Sequence, residues 1–198
     1  QRQMCIIDSF LIVIKSSAEK ISTQFHLLAE RYGLEINQSV VKMRGFIRSE
    51  PSIFGVYRGR EMSISVPGKG LQNTRQIESV LKLELKGSQL SAQLTASGPL
   101  SGLRQRDSGG QARWKSGDER FDHTIDVRTD QGGALAALLT EEHRIWLADT
   151  LKKFKATLYI GGGNLAYAKL GLIANEATRK DFEAATEFLC DLAESLEA

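Results

Sequence analysis

The apolar residues of this chain change their spacing several times, and each change marks a structural boundary. From Met4 to Ile14 they are nearly continuous: Cys5, Ile6, Ile7 and then Phe10 to Ile14, broken by Asp8 and Ser9. Ten residues of helix rise about 15 Å, whereas a membrane-spanning helix needs about 20 apolar residues. The stretch therefore does not cross a bilayer by itself. It reads as a buried strand or helix turn, or, in a chain that begins at Gln1, as the trailing end of a membrane anchor. A signal peptide is disfavoured, because no basic start or small-residue cleavage site is present. Ser16 then offers an N-cap, with Glu19 completing a capping box. Ile21, Phe25, Leu28 and Tyr32 recur on one helical face, and Gly33 supplies the left-handed residue that ends the helix. His26 falls beside this stripe, at the helix edge.

From Val40 to Ser97 the period is two. Val41, Met43 and Ile47 alternate with Lys42, Arg44 and Arg48, and a turn is expected at Glu50-Pro51. Phe54 and Val56 alternate before Tyr57-Arg58-Gly59-Arg60 turns the chain, and Met62, Ile64 and Val66 alternate until Pro67-Gly68. Ile77, Ser79, Leu81, Leu83 and Leu85 form a further face. Gly87-Ser88 suits a two-residue hairpin returning through Leu90, Ala92, Leu94 and Ala96. Five consecutive strand candidates with short connections predict an antiparallel meander. Gly98 to Gly117 reads as a long irregular loop, disordered or binding, in which Trp114 sits among Arg104, Arg106, Arg113 and Lys115. From Ser116 to Val127 alternation predicts a strand, with Phe121, Ile125 and Val127 on one face and Asp122, Thr124 and Asp126 on the other. Thr140 caps a helix with Leu147 and Leu151 on its buried side. Gly161-Gly162-Gly163-Asn164 turns a hairpin, since no GK[ST] follows to make a phosphate loop. Thr178 caps a last helix striped by Phe182, Ala185, Leu189, Leu192 and Leu196. The expected architecture is α+β: an apolar segment over 1–15, then a single domain over 16–198. Its mainly antiparallel sheet is covered by helices around 17–32, 141–153 and 179–196, and the irregular loop lies near 98–117.

Composition narrows the function classes little. The chain has 198 residues, 41% apolar and 25% charged, with a net charge of +2, as an ordinary globular domain has. Bases outnumber acids from Lys42 to Lys86, and acids dominate from Glu176 onward. Cys5 and Cys190 have no CxxC partner, so neither a zinc site nor a disulfide framework is supported. Cys190 falls on an apolar helix face as a small core residue.

Candidate chemistry concentrates in one stretch. Asp118, Glu119, Asp122, His123 and Asp126 bring carboxylates and an imidazole together, the residue types of metal binding or acid–base work. Asp118, Asp122 and His123 are the catalytic candidates. Strand alternation divides them, however, directing His123 with Phe121 and Ile125 toward the core and Asp122 and Asp126 away. Arg58, Arg60 and Trp114 are the ligand-binding candidates. His143 lies on the surface of its helix. No nucleophile pair, dinucleotide fingerprint or HExxH occurs, and neither a metal centre nor a cofactor is implied.

Two short motifs carry a resemblance. Phe54-Gly55-Val56-Tyr57-Arg58-Gly59-Arg60-Glu61 resembles the G-x-Y-R-G-R strand turn of a family of uncharacterised bacterial proteins. Ser116-Gly117-Asp118-Glu119-Arg120-Phe121-Asp122 is similar to the S-G-D-x-x-F-D that follows in them, ahead of a helix like that at Leu138-Leu139-Thr140. The resemblance covers roughly the last three-quarters of the chain and implies no activity. Those proteins often have a hydrophobic N-terminal segment, which favours the anchor reading of Met4 to Ile14. It also makes a pairing of Arg58 or Arg60 with Asp118 or Asp122 worth seeking.

The expected function is a non-enzymatic binding or accessory module of a bacterial cell, with a membrane tether as an option. A protein partner or membrane context is the expected setting, cytoplasmic or membrane-associated. One alternative is a small-ligand or metal-dependent enzyme using residues 118–126. Another is nucleic-acid binding through the basic 42–115 region, although one tryptophan among bases is thin as a stacking platform.

Overall fold

A computed structural model describes residues 2–43, 46–67, 77–98 and 111–197. The elements in order are α1 (Arg2–Tyr32), β1 (Glu35–Met43), β2 (Phe46–Tyr57), β3 (Arg60–Ser65), β4 (Glu78–Glu84), β5 (Ala92–Ala96) and β6 (Arg113–Trp114). There follow α2 (Glu119–Thr124), β7 (Ile125–Thr129), α3 (Gly132–Leu138), α4 (Glu141–Phe154), β8 (Ala156–Gly161), β9 (Asn164–Leu170) and α5 (Glu176–Glu197). The chain is α+β. Among the described residues nine strands form one sheet in the order β1-β2-β3-β4-β9-β8-β5-β7-β6, antiparallel throughout. The helices cover one face of it.

The core lies between that face and the helices. Phe25 and Leu28 of α1, Leu147 and Leu151 of α4, and Phe182, Ala185 and Leu192 of α5 are fully buried against Ile53, Ile64, Leu81, Leu94 and Leu165. Their stripes are the ones periodicity predicts, since each faces the sheet once per helical turn. Gly33 ends α1 in the left-handed region (φ 66), and Arg58 and Gly59 turn β2 into β3 with φ of 48 and 73. Thr140 Oγ1 accepts a hydrogen bond from the His143 amide and caps α4, as expected. A smaller apolar cluster of Val80, Ala166 and Ala168, packed by Tyr159, lies on the opposite sheet face.

Several local expectations are corrected. No helix starts at Ser16, because α1 runs unbroken from Arg2. Neither Gly nor Pro interrupts residues 2–20, so nothing stops the helix upstream and a cap has no task there. Pro51 is not in a turn but inside β2, opposite Gln38. Among the described residues β2 has a neighbour on one side only at that point, where a missing N–H costs least. The period-two run from Val41 to Ile47 is two strands paired with each other, and the reversal at 44–45 lies outside the described residues.

The Gly87-Ser88 hairpin is not formed either. Gly87 is left-handed (φ 70), but β4 pairs with β9 and β5 with β8, so the β8–β9 hairpin sits between them. Its strands offer Tyr167 opposite Leu81 and Leu165 opposite Leu83, larger apolar partners than the alanines of β5. Residues 116–124 are not a strand. Asp118 caps α2 and the strand begins only at Ile125. For α5 the capping oxygen belongs to Asn175, whose Oδ1 accepts from the Thr178 amide at 2.8 Å. Of the long loop, residues 99–110, with Arg104 and Arg106, lie outside the described residues, and 113–114 form β6.

Trp114 packs against the start of α3 closely enough to require a glycine. A Cβ on Gly132 would stand 2.3 Å from its Cδ1 and 2.5 Å from its Nε1, whereas one on Gly133 would meet nothing within 4 Å. Gly132→Ala is expected to destabilise the protein by about 1–3 kcal/mol. Gly133→Ala should be neutral or stabilise by up to about 1 kcal/mol, the helix preference for alanine. Urea denaturation of the two variants checks this, and equal midpoints would refute it.

Candidate functional site

The central stretch is built from its own backbone. Asp118 Oδ1 accepts from the Phe121 amide at 3.1 Å, and Oδ2 from Arg144 Nε of α4 at 3.2 Å. The Phe121 amide, with Arg144 behind it, holds the Asp118 carboxyl below the usual carboxylate range. Asp122 Oδ1 accepts from the Ser116 amide at 2.8 Å and its hydroxyl at 2.9 Å, while Oδ2 takes the Gly117 amide at 3.1 Å. These carboxylates close a turn and cap a helix. His123 is exposed rather than aimed at the core, and does not join them. Among the described residues no group of three or more His, Cys, Asp or Glu is placed to hold a metal ion.

Asp126 is the reverse case: it is 2% exposed instead of facing solvent. Arg128 Nε donates to its Oδ2 at 3.2 Å. Arg113 Nε stands 2.7 Å from Oδ1, off the hydrogen-bond axis, so that contact is one of charge alone. Thr95 lies opposite Asp126, and Gln93 opposite Arg128, in the β5–β7 register. This buried polar row is not marked by any sequence motif. Its one visible sign is a charged Asp-x-Arg alternating with apolar residues that remain buried.

Arg58 and Arg60 pair with α5, not with the central stretch. Arg58 Nη2 bonds Glu187 Oε2 at 2.8 Å and Nη1 bonds Asp191 Oδ1 at 2.9 Å, with Glu194 at 3.8 Å. The hydrogen bond to Asp191, reinforced by Glu187, raises the Arg58 pKa further. Arg60 grips both carboxylate oxygens of Glu197, and the Lys86 amide donates to Glu197 Oε1 at 2.6 Å. Tyr57 OH donates to Glu187 Oε1 at 3.1 Å, and its ring meets Tyr32 edge-on at 4.8 Å. Burial pushes the Cys190 thiol up to about 11, leaving it unreactive at neutral pH. The helical spacing of Glu187, Asp191 and Glu194 was the readable sign of this hold.

Two concavities lie on the surface of the described residues. One, of about 350 Å³, is lined by Phe54, Val56, Glu61, Ser63, Lys82 and Asn164. Phe54 and Val56 are 44% and 65% exposed there. The other, of about 530 Å³, lies between α2 and α4 beside Arg120, Asp149, Lys152 and Lys153.

The remaining feature is an arm. Contacts along α5 set the direction of α1: Glu187 meets Tyr57, Glu183 meets Arg31 and Tyr32, and Arg179 meets Gln24. Traced toward its N-terminus, α1 therefore leaves the β2–β3 turn behind. β2, traced back from Tyr57, also starts from that turn. Its pairing with β3 stops at Ile53, and the seven pairs from Asn37↔Ser52 to Met43↔Phe46 have no third strand among the described residues. That ribbon is about 24 Å long. Residues 2–20 of α1 extend about 28 Å beyond Ile21, where the core stripe begins.

No family model and no curated protein matches the chain. In fold it is similar to the crystal structure of the mycobacterial trehalose monomycolate transport factor A, TtfA. The TM-score is 0.58 at 13% identity, over 88% of this chain and 95% of that one. At that identity the likeness speaks for fold alone.

The Arg60–Glu197 pair gives a pH test. Arg60 holds the Glu197 carboxyl below its ordinary 4.5. A depressed carboxylate contributes stability above its unfolded pKa and loses it as pH falls through the folded one. Glu197→Gln should cost about 1 kcal/mol at neutral pH, and the gap to the parent should close below pH 4.5. Denaturation curves across this range decide it; a gap independent of pH would show that charge plays no part.

Proposed function

We propose that this chain is a non-enzymatic accessory module that works at a membrane, held there through the first half of α1. The observation that carries the reading is the division of labour between body and arm. In the body, Asp118, Asp122, Arg58 and Arg60 are taken up by a cap, a turn and the hold on α5. The apolar run Met4–Ile14 lies on the same continuous helix as the core stripe that begins at Ile21. Among the described residues no helix is long and apolar enough to cross a membrane, so the contact proposed is with one leaflet, the helix lying in the interface. An accessory role fits loosely with the likeness in fold to TtfA, a trehalose monomycolate transport factor.

The test is cosedimentation with phosphatidylcholine vesicles. The parent chain should pellet with them. Ile7→Glu/Leu11→Glu should remain in solution with an unchanged melting temperature, since two apolar side chains of this size contribute roughly 3–6 kcal/mol on burial. A parent chain that stays in solution would overturn the reading.

A further inference from the structure

Residues 54–61 carry the first of the two motifs, and only part of it is taken up by α5. Tyr57, Arg58 and Arg60 reach that helix. Phe54, Val56 and Glu61 belong to the opposite face of the sheet, away from the core. There the registers set large and small side chains next to each other. Phe54 stands opposite Ser63, Ser63 opposite Lys82, and Lys82 opposite Ala166. In the next row on this face Val56 stands opposite Glu61. A serine between a phenylalanine and a lysine leaves a hollow, the concavity of about 350 Å³ that Asn164 completes. Its lining has two chemistries. Phe54 and Val56, both exposed, form an apolar wall. The Lys82 ammonium and the Glu61 carboxylate line the rest, and neither has a hydrogen-bond or ion-pair partner among the described residues. The two stand diagonally across β3 and β4, positions that hold Cβ atoms about 7–8 Å apart.

We propose that this hollow binds a free α-amino acid with an apolar side chain. Its ammonium meets Glu61, its carboxylate meets Lys82 and the Ser63 hydroxyl, and its side chain lies against Phe54 and Val56. An α-amino acid carries both charges on one carbon. With a charge-assisted hydrogen bond of about 2.8 Å at each end, it spans a diagonal gap of this size. An aromatic side chain adds the attraction of an offset ring pair with Phe54. Other small ligands fit less well. An anion alone would meet Glu61, and a cation alone would meet Lys82, each a like charge. A purely apolar ligand would draw water from both charges and pair neither. The site lies on β2, β3 and β4 and does not depend on the membrane role of α1.

The experiment titrates the isotope-labelled full chain with L-phenylalanine and follows the amide NMR shifts. The amides of Phe54, Ser63 and Lys82 should shift and saturate. Phenylpropanoate lacks the ammonium and phenethylamine lacks the carboxylate. Each should bind about tenfold more weakly, the worth of one charge-assisted contact. Glu61→Gln should erase the advantage of phenylalanine over phenylpropanoate, and Lys82→Gln its advantage over phenethylamine. Both side chains are exposed, so each variant should melt as the parent does. A parent without saturable shifts would overturn the proposal, as would analogues that bind as well as phenylalanine. Shifts at these amides that follow protein concentration instead would also overturn it, assigning the surface to contact between copies. Vesicle binding by α1 is read separately, so failure here leaves the membrane reading standing.

Discussion

The pairing of β4 with β9 is the joint on which the rest of the fold depends. Strands β1 to β4 pair in chain order, and β5 to β9 pair among themselves. Among the described residues, only the seven pairs from Glu78↔Leu170 to Glu84↔Asn164 connect the two halves of the sheet. The helices cross the same seam. Tyr167 of β9 is buried under Phe182 of α5, ring centroids 5.5 Å apart, and Leu81 and Leu83 lie fully buried beside it. A slip of one residue in this register would turn Leu81, Leu83, Leu165 and Tyr167 outward together. The joint brings together residues eighty or more positions apart, so closing it costs more chain entropy than closing any hairpin does.

Helix α5 closes that joint, and it does so against its own electrostatics. A helix end carries a partial negative charge, yet the last turns of α5 hold Asp191, Glu194 and Glu197 and no base. The compensating charge comes from elsewhere in the chain. Arg58 and Arg60 stand at the β2–β3 turn, and the Lys86 amide adds a donor after β4. The first half of the sheet therefore holds the end of the helix that covers the second half. This explains why two arginines in a G-x-Y-R-G-R turn need have no ligand: their partners are already present in the chain, and removing them would leave a stack of carboxylates at a negative helix terminus.

What was legible in the sequence was what is decided locally. The stripes of α1, α4 and α5, the Thr140 cap and the turns at Gly33, Arg58-Gly59 and Gly162-Gly163 each follow from residues within one turn of each other. The failures have two physical origins. Partner choice in a sheet is non-local, and nothing in the alternation of β4 distinguishes β5 from β9. Period itself is ambiguous at a spacing of four: Phe121 and Ile125 lie on one face of a strand and equally on one face of a helix. The capping carboxylate of Asp118 resolves the ambiguity in favour of a helical turn, and that turn sends His123 outward and Asp126 inward. The same turn places the candidate carboxylates: Asp118 and Asp122 accept hydrogen bonds from amides of their own segment.

The contrast between body and arm follows from the same accounting of partners. In the described body, charged side chains near the core find opposite charges or backbone groups, down to Asp126 between two arginines. The exposed apolar side chains Phe54 and Val56 lie on β2, the strand that continues into the ribbon. On α1 the apolar run Met4–Ile14 and the core stripe that begins at Ile21 belong to one continuous helix, so the segment on which the proposed role rests is fixed to the body through Phe25, Leu28 and Tyr32.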